Sequence, residues 1–271
     1  MTPPTGRTSA SDFGFFLCLG ILGGVYVVLI LAMLIADLSF TTPGHLLESL
    51  RKPEIRFAIV LSMVSCTMTA LLSLWVAVPL GYLLSRTQFF GKEALDTILD
   101  IPIVLPPLVI GLSLLILFHS RPGQWFQDNI LAVSYEIPSV ILAQFAVSAA
   151  FAVRTMRVTF DQIHPRAEQV ALTLGCTRSQ AFWLVLMPEA RRGLLTAATL
   201  SWARSLGEFG PILIFAGATR FRTEVLPTTV FLELSIGNLE GALAVSLLMI
   251  AAAVLVLVLT RRLGLRGTGL V

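Results

Sequence analysis

Arg204 and Glu208 are opposite charges that stand four residues apart inside a long apolar stretch. Arg204 lies 12 residues beyond Arg192, which is roughly 18 Å along a helix. An arginine that deep in a membrane is costly and usually faces a helix-bundle interior or a water-filled path. Its guanidinium carries permanent charge and fixed donors that suit oxygen-rich anions. The two residues therefore predict either an anion pathway or an ion pair that merely holds helices together.

Backbone flexibility is concentrated around Glu208, which is flanked by Gly207 and Gly210 and followed by Pro211. Glycine and proline allow bending and close backbone approach, so this pattern indicates a hinge or gate. Arginine before glutamate is the less favourable order for a pair within one helix. The order therefore leaves open a bond of either residue to another partner.

The segment 161–190 predicts two short helices joined at Gly175. Pro165 suits a first helical turn, and Gly175 suits a C-terminal cap with a positive φ. Thr177 begins a capping-box pattern ahead of an apolar run that Pro188 is expected to stop. The alternative interpretation is an ordinary amphipathic loop.

Nothing else in the sequence predicts bound cofactors or covalent catalysis. The histidines and cysteines are scattered and have no spacing typical of metal ligands. The nucleotide-binding pattern G-x-x-x-x-G-K-[ST] does not occur. Whatever energy source the chain uses must therefore be supplied by something else.

The composition is that of an integral membrane protein. Of the 271 residues, 56% are apolar and 13% are charged, whereas soluble domains have about 25% charged residues. The mean hydropathy is +0.86. The net charge of +3 reflects the lysines and arginines of the connections, and it does not indicate nucleic-acid binding.

Six apolar stretches are long enough to be transmembrane helices, which need about 20 residues. No soluble domain of more than about 50 residues fits between them, so residues 1–271 are expected to form one all-α transmembrane domain. The predicted spans are 13–36, 57–84, 98–118, 138–158, 193–217 and 241–260.

The positive charges orient these spans. Twelve lysines and arginines, including Arg7, fall on the side that contains both termini and the segment 161–190, and six fall on the other. Because cytoplasmic connections carry the excess of positive charge, both termini and this segment are expected to be cytoplasmic.

The segment 161–190 resembles the cytoplasmic loop of permease subunits of ABC importers, which carries G-x9-I-x-L-P preceded by E-A-A. Val185-Leu186-Met187-Pro188 follows Gly175 at the family distance, and Gln169-Val170-Ala171 occupies the E-A-A positions. The resemblance implies that this loop docks in a groove of an ATPase subunit, which a glutamate at Ala171 would enter. The implied coupling residues are Glu168, Gln169, Val170, Ala171, Gly175 and Pro188.

Two further stretches resemble molybdate permeases, with close variants in tungstate and sulfate permeases. The first is A-R-S-L-G-E-F-G at residues 203–210, and the second, Ile101–Gly111, is similar to L-P-L-V-L-P-P-x-V-x-G. The prolines of the second stretch predict a broken entrance to a span. The resemblance implies a translocation pathway or gate at Arg204, Gly207, Glu208 and Gly210.

The family implies a six-transmembrane-helix type I ABC importer permease in a bacterial or archaeal cytoplasmic membrane. Its substrate would be molybdate or, alternatively, tungstate, sulfate or thiosulfate. The implied partners are a second copy of the chain, ATPase subunits that bind ATP and Mg²⁺, and an extracytoplasmic oxyanion-binding protein. An ion-driven secondary transporter, with Glu208 binding the coupling ion, is the main rival. A membrane-embedded enzyme is disfavoured because the spans contain no cluster of catalytic side chains.

Overall fold

The computed structural model describes residues 10–40 and 43–266, and within them every regular element is a helix. Arg7, which contributed to the predicted orientation, lies outside the described residues. The helices are α1 (Ala10–Phe40), α2 (Pro43–Arg51), α3 (Pro53–Arg86), α4 (Lys92–Val104), α5 (Pro107–His119), α6 (Arg121–Asn129), α7 (Ile137–Gln162), α8 (Arg166–Thr173), α9 (Arg178–Ala181), α10 (Met187–Glu189), α11 (Arg191–Leu206), α12 (Gly210–Phe215), α13 (Leu226–Ser235) and α14 (Leu239–Arg266).

Four of the predicted spans fall on helices that are long and apolar enough to cross a bilayer. They are the first, second, fourth and sixth predicted spans, which lie within α1, α3, α7 and α14. The exposed surface of these helices is rich in apolar side chains, as a lipid environment requires.

The predicted span 98–118 is broken, as its prolines indicated. Its two halves, α4 and α5, meet at an angle of 112°. Leu105 and Pro106 between them are extended, with ψ angles of 139° and 131°. This conformation follows from the two consecutive prolines, because a residue before proline avoids the helical region and proline has no N–H to donate.

The predicted span 193–217 is not one helix. Helix α11 ends at Leu206 and α12 begins at Gly210. Neither part alone has the length of about 20 residues that a helical span needs. The interruption begins at Gly207, and Gly210 and Pro211 start the helix that follows it; the sequence associated these three residues with a hinge.

The centre of the fold is formed by α3, α7 and α11, whose contact surfaces carry small and hydroxyl side chains. A Cβ atom added to Gly81 of α3 would lie 2.9 Å from the backbone nitrogen of Arg157 in α7. Small residues allow helix backbones to approach closely in membranes, where apolar burial alone does not drive association. Fully or nearly fully buried hydroxyl residues on these helices include Ser62, Ser65, Thr69, Ser73, Ser139, Ser148, Ser201 and Ser205.

Candidate functional site

The two stretches that resemble oxyanion permeases lie against each other in the structure. A Cβ atom added to Gly111 would lie 2.7 Å from the Cα atom of Pro211. One added to Gly210 would lie 3.3 Å from the backbone nitrogen of Leu108. The broken span α4–α5 and the interrupted pair α11–α12 therefore meet through glycine contacts, which larger residues would push apart.

Arg204 and Glu208 form an ion pair with each other. Arg204 is in the last turn of α11, while Glu208 lies beyond the break, where its amide donates a hydrogen bond to the Ser205 carbonyl at 3.2 Å. Of the alternatives that the sequence left open, the structure thus shows the pairing of the two residues with each other. The unfavourable order applies to pairs within a continuous helix, and the turn at Gly207 brings Glu208 back toward the guanidinium.

The two charges of this pair have different exposure. The Arg204 side chain is 31% exposed, whereas Glu208 is only 1% exposed. The guanidinium carbon also lies 5.6 Å from the centre of the Phe151 ring on α7, a distance that permits a cation–π contact. The Arg204 guanidinium is thus partly accessible at the break between α11 and α12, and it is paired with the buried Glu208 carboxylate.

Gln144 is a residue of this region that sequence reasoning missed. Its side-chain amide donates a hydrogen bond to the Ser205 carbonyl at 3.2 Å, and its oxygen accepts one from the Thr69 hydroxyl at 3.2 Å. It thereby joins α3 and α7 to the end of α11, just before the break. The sequence does contain one indication of its importance: Gln144 is the one amide side chain in the apolar span 138–158. Polar groups within a membrane span usually have a structural or functional partner.

The segment 161–190, which we call the coupling segment, contains the two short helices that its sequence predicted. Helix α8 is followed by Gly175, whose φ is +92°. Helix α9 starts with the capping box of Thr177 and Gln180, in which each side chain accepts a hydrogen bond from the other residue's backbone N–H. The prediction of two helices joined at Gly175 is therefore confirmed.

Pro188 does not stop the second helix where it was expected to. The chain continues from α9 through a π-helical turn, Phe182–Leu186, into α10, which contains Pro188. The amide of Met187 donates to the carbonyl of Phe182, five residues earlier. Proline removes a donor and crowds the preceding turn, and a widened π turn accommodates it without ending the helix.

Within the E-A-A region, only some of the implied coupling residues face outward. Ala171 is 6% exposed, whereas Val170 is 56% exposed and Leu174 is 80% exposed. The expectation that a glutamate at Ala171 would enter a partner's groove is therefore wrong, because Ala171 packs against the permease itself. Val170 and Leu174 are instead available for contact with a partner.

Glu168 is held by two residues of α3 that sequence reasoning did not single out. The Tyr82 hydroxyl donates a hydrogen bond to its carboxylate at 2.5 Å, and the Nε atom of Arg86 lies 3.5 Å from its other oxygen. Arg86 also donates to the Ile163 carbonyl at 2.7 Å. We call Tyr82, Arg86 and Glu168 the clasp. The sequence shows that Tyr82 and Arg86 lie near the end of a span, but only the fold brings them into contact with Glu168.

The connection between α12 and α13 contains a buried carboxyl group, that of Glu224. The residue is 0% exposed, and within the described residues neither carboxyl oxygen has a hydrogen-bond partner. Burial raises the pKa of Glu224, and the Arg220 charge opposes that shift only in part. Arg220 itself lies 3.2 Å from Glu233.

Comparison with known proteins places this architecture in a family. Residues 77–266 match the family described as the binding-protein-dependent transport system inner membrane component. The chain is 31% identical to the sulfate transport system permease protein CysT of Escherichia coli strain K12, over 94% of this chain and 96% of that protein. It is 37% identical to the molybdate/tungstate transport system permease protein WtpB of Thermococcus kodakarensis, over 63% of this chain and 65% of that protein.

A solved structure shares the fold over nearly the whole chain. It is the crystal structure of a bacterial alginate ABC transporter in complex with an alginate pentasaccharide-bound periplasmic protein. A chain of that structure matches with a TM-score of 0.76 at 16% sequence identity, covering 97% of this chain and 99% of that one. The predicted all-α type I permease fold is confirmed. The chain belongs to the binding-protein-dependent transport system inner membrane component family, as an ABC importer permease of the group that includes the sulfate and molybdate permeases.

Proposed function

We propose that this permease translocates a tetrahedral oxyanion dianion past Arg204, and that molybdate is its main substrate. The observation that carries the proposal is the partly exposed Arg204 guanidinium at the break between α11 and α12, backed by buried Glu208. A guanidinium presents several fixed N–H donors and suits an anion with several oxygens.

Glu208 weakens the attraction between Arg204 and the anion, so that the anion can also be released. An unpaired arginine at membrane depth is costly, and one with its full charge available would hold a dianion too tightly to release it. The neighbouring carboxylate shares the positive charge and moderates both effects. Gly207 and Gly210 let the backbone at this point change conformation as the gate opens and closes.

Molybdate is favoured over sulfate by the stretch A-R-S-L-G-E-F-G at residues 203–210. The relatives described above include both a sulfate permease, CysT, and a molybdate/tungstate permease, WtpB. Tungstate, sulfate and thiosulfate are therefore alternative substrates, since all are tetrahedral dianions.

The partners follow from the same family. Two ATPase subunits would bind at the coupling segment and supply the ATP and Mg²⁺ sites, and a second copy of this chain would complete the path. In α1, none of the most apolar 18-residue window is buried, which supports contact with lipid or another subunit. An extracytoplasmic oxyanion-binding protein would deliver the anion, as the periplasmic protein in the complex of the alginate transporter suggests by analogy.

The test is uptake by the permease co-reconstituted with its ATPase and binding protein. Labelled molybdate should enter proteoliposomes only with ATP, and unlabelled tungstate and sulfate should compete in an order that ranks the substrates. ATP-independent uptake by the chain alone, driven by an ion gradient and abolished in Glu208→Gln, would instead establish the secondary-transporter alternative. ATP-driven uptake of none of these anions would overturn the proposal.

A further inference from the structure

A cleft of about 570 Å³ lies between α7 and α11, at the ends of these helices that adjoin the coupling segment. Its polar lining includes Arg154, Gln162, Glu189 and Arg192, together with three threonine hydroxyl groups. The volume is within the range of small-molecule sites. None of these residues belongs to the gate around Arg204 or to the clasp.

The walls of the cleft are set by a close contact between the two helices. A Cβ atom added to Gly193 of α11 would lie 2.1 Å from the hydroxyl oxygen and 2.6 Å from the Cβ atom of Thr159 in α7. The helices therefore touch at Gly193. This contact keeps the side chains of the two helices at fixed positions around the cleft.

The donors in the cleft suit an anion. Arg154 pairs with Asp100 at 2.6 Å, and both side chains are partly exposed. Within the described part of the chain, the structure shows no carboxylate within 4.0 Å of the Arg192 guanidinium. The Thr196 hydroxyl donates to the Arg192 carbonyl at 2.9 Å, and the other two threonines are bonded in the same way. The N–H donors left for a ligand belong to the two guanidinium groups and the Gln162 amide.

The cleft and the gate lie at opposite ends of α11. Arg192, Thr196 and Leu200 are exposed and follow one another at intervals of four residues, so they form a row along the helix surface. Arg204 continues this row, roughly 18 Å from Arg192 along the axis and about a third of a turn around it. An anion that leaves Arg204 toward the coupling segment thus meets Arg192 at the other end of the row.

We propose that this cleft is a low-affinity release site for the transported oxyanion, with Arg192 as its main binding residue. The inference rests on the proposed function and names a second position on the same path. The Glu189 carboxylate in the lining and the Asp100 partner of Arg154 both compete with an anion for positive charge. Weak, multiple sites are what conduction requires, because a tightly held ion does not leave.

The test measures protection of a cysteine placed in the cleft. Thr196→Cys is introduced into a chain whose three native cysteines are replaced by alanine, and the complex with its ATPase is assembled in lipid nanodiscs without nucleotide. Modification by neutral methyl methanethiosulfonate is timed with and without molybdate, tungstate or sulfate, with chloride at matched ionic strength as the reference. Phe90→Cys, at a fully exposed position between α3 and α4, is the matched position outside the cleft and outside the coupling segment.

We expect each oxyanion to slow modification of Thr196→Cys severalfold and to leave Phe90→Cys unaffected. Adding Arg192→Gln should remove the protection, while Arg262→Gln, which removes an exposed arginine of α14, should retain it. Equal rates with and without oxyanion, equal protection at Phe90→Cys, or protection that survives Arg192→Gln would each overturn the proposal. If Thr196→Cys does not assemble, Val158→Cys in the same cleft replaces it. Successful uptake without protection removes only the release site, whereas failed uptake removes the proposed function itself.

Discussion

The Tyr82 hydroxyl donates a hydrogen bond to the Glu168 carboxylate at 2.5 Å and thereby joins the end of α3 to α8. The Tyr82 ring also packs edge-to-face on Phe182, with ring centres 4.9 Å apart, and on Phe160, at 5.9 Å. One side chain therefore contacts a transmembrane helix and both parts of the coupling segment. A displacement of α8 by a partner would reach α3 through this contact.

Tyr82→Phe should uncouple ATP hydrolysis from transport while leaving the complex assembled. The substitution retains the packed ring and removes a hydrogen bond to a charged group, of a kind that contributes about 1.5–3 kcal/mol, with less expected at this partly exposed position. The expected result is more ATP hydrolysed per anion transported in proteoliposomes. Tyr26→Phe, on the exposed surface of α1, is the control. An unchanged ratio would show that the clasp is only structural.

Gly175→Val should weaken coupling through backbone strain alone. No atom lies within 4 Å of a Cβ built at Gly175, but its φ of +92° is unfavourable for other residues and costs them about 1 kcal/mol or more. The variant should insert normally, and ATPase activity stimulated by the loaded binding protein should fall. Gly20→Val in α1, which also has open space but no positive φ, should have no effect. Full stimulation in Gly175→Val would remove this turn from the mechanism.

Leu174→Glu and Ala171→Glu should fail in different ways. Leu174 is 80% exposed, so its replacement should leave the permease stable and reduce co-purification of the ATPase. Ala171 is buried, so a glutamate there must bury a charge or distort α8, and the melting temperature of the permease itself should fall. Thermal unfolding and pull-down of the ATPase distinguish the two outcomes. Undiminished pull-down with Leu174→Glu would place the docking surface elsewhere.

Arg204→Met should reduce molybdate uptake much more than it reduces the amount of assembled complex. Methionine keeps length and apolar volume but removes the charge, so an anion loses its attraction at the gate. Uptake of labelled molybdate is compared with complex yield on the same membranes. A parallel fall in both would identify a structural ion pair, and two normal values would mean that Arg204 has neither role.

Glu224→Gln should make the permease more stable at alkaline pH. Because burial raises the pKa of Glu224 above its ordinary value of 4.5, folding favours the protonated carboxyl group. The resulting stability is fully present below the ordinary pKa and is lost as pH rises through the folded one. Glutamine mimics the neutral form, so its melting temperature should exceed that of the wild type at pH 9 and match it at pH 4. A constant difference across this range would exclude titration of Glu224 as its cause.

Local sequence patterns determined much of this molecule. Apolar length predicted the four long transmembrane helices, consecutive prolines predicted the break between α4 and α5, and cap chemistry predicted the turn at Gly175. Each of these features depends on residues that are close in sequence. The physical causes are likewise local: the requirement for internal backbone hydrogen bonds in lipid, the missing N–H of proline, and the tolerance of glycine for positive φ.

Tertiary structure alone decided which distant residues meet. The sequence placed Tyr82 and Glu168 on different elements, 86 residues apart, and no periodicity links them. It also treated Arg204 and Glu208 as members of one helix, whereas the contacts of Gly111 with Pro211 and of Gln144 with Ser205 hold a broken chain at that point. Likewise, the eight residues of α8 have mixed polarity, so their sequence did not show which side of the helix is buried. Ala171 was therefore expected to face a partner, whereas it is buried. Such contacts depend on how whole helices pack, because small and hydroxyl residues allow many close approaches and only the assembled bundle selects one.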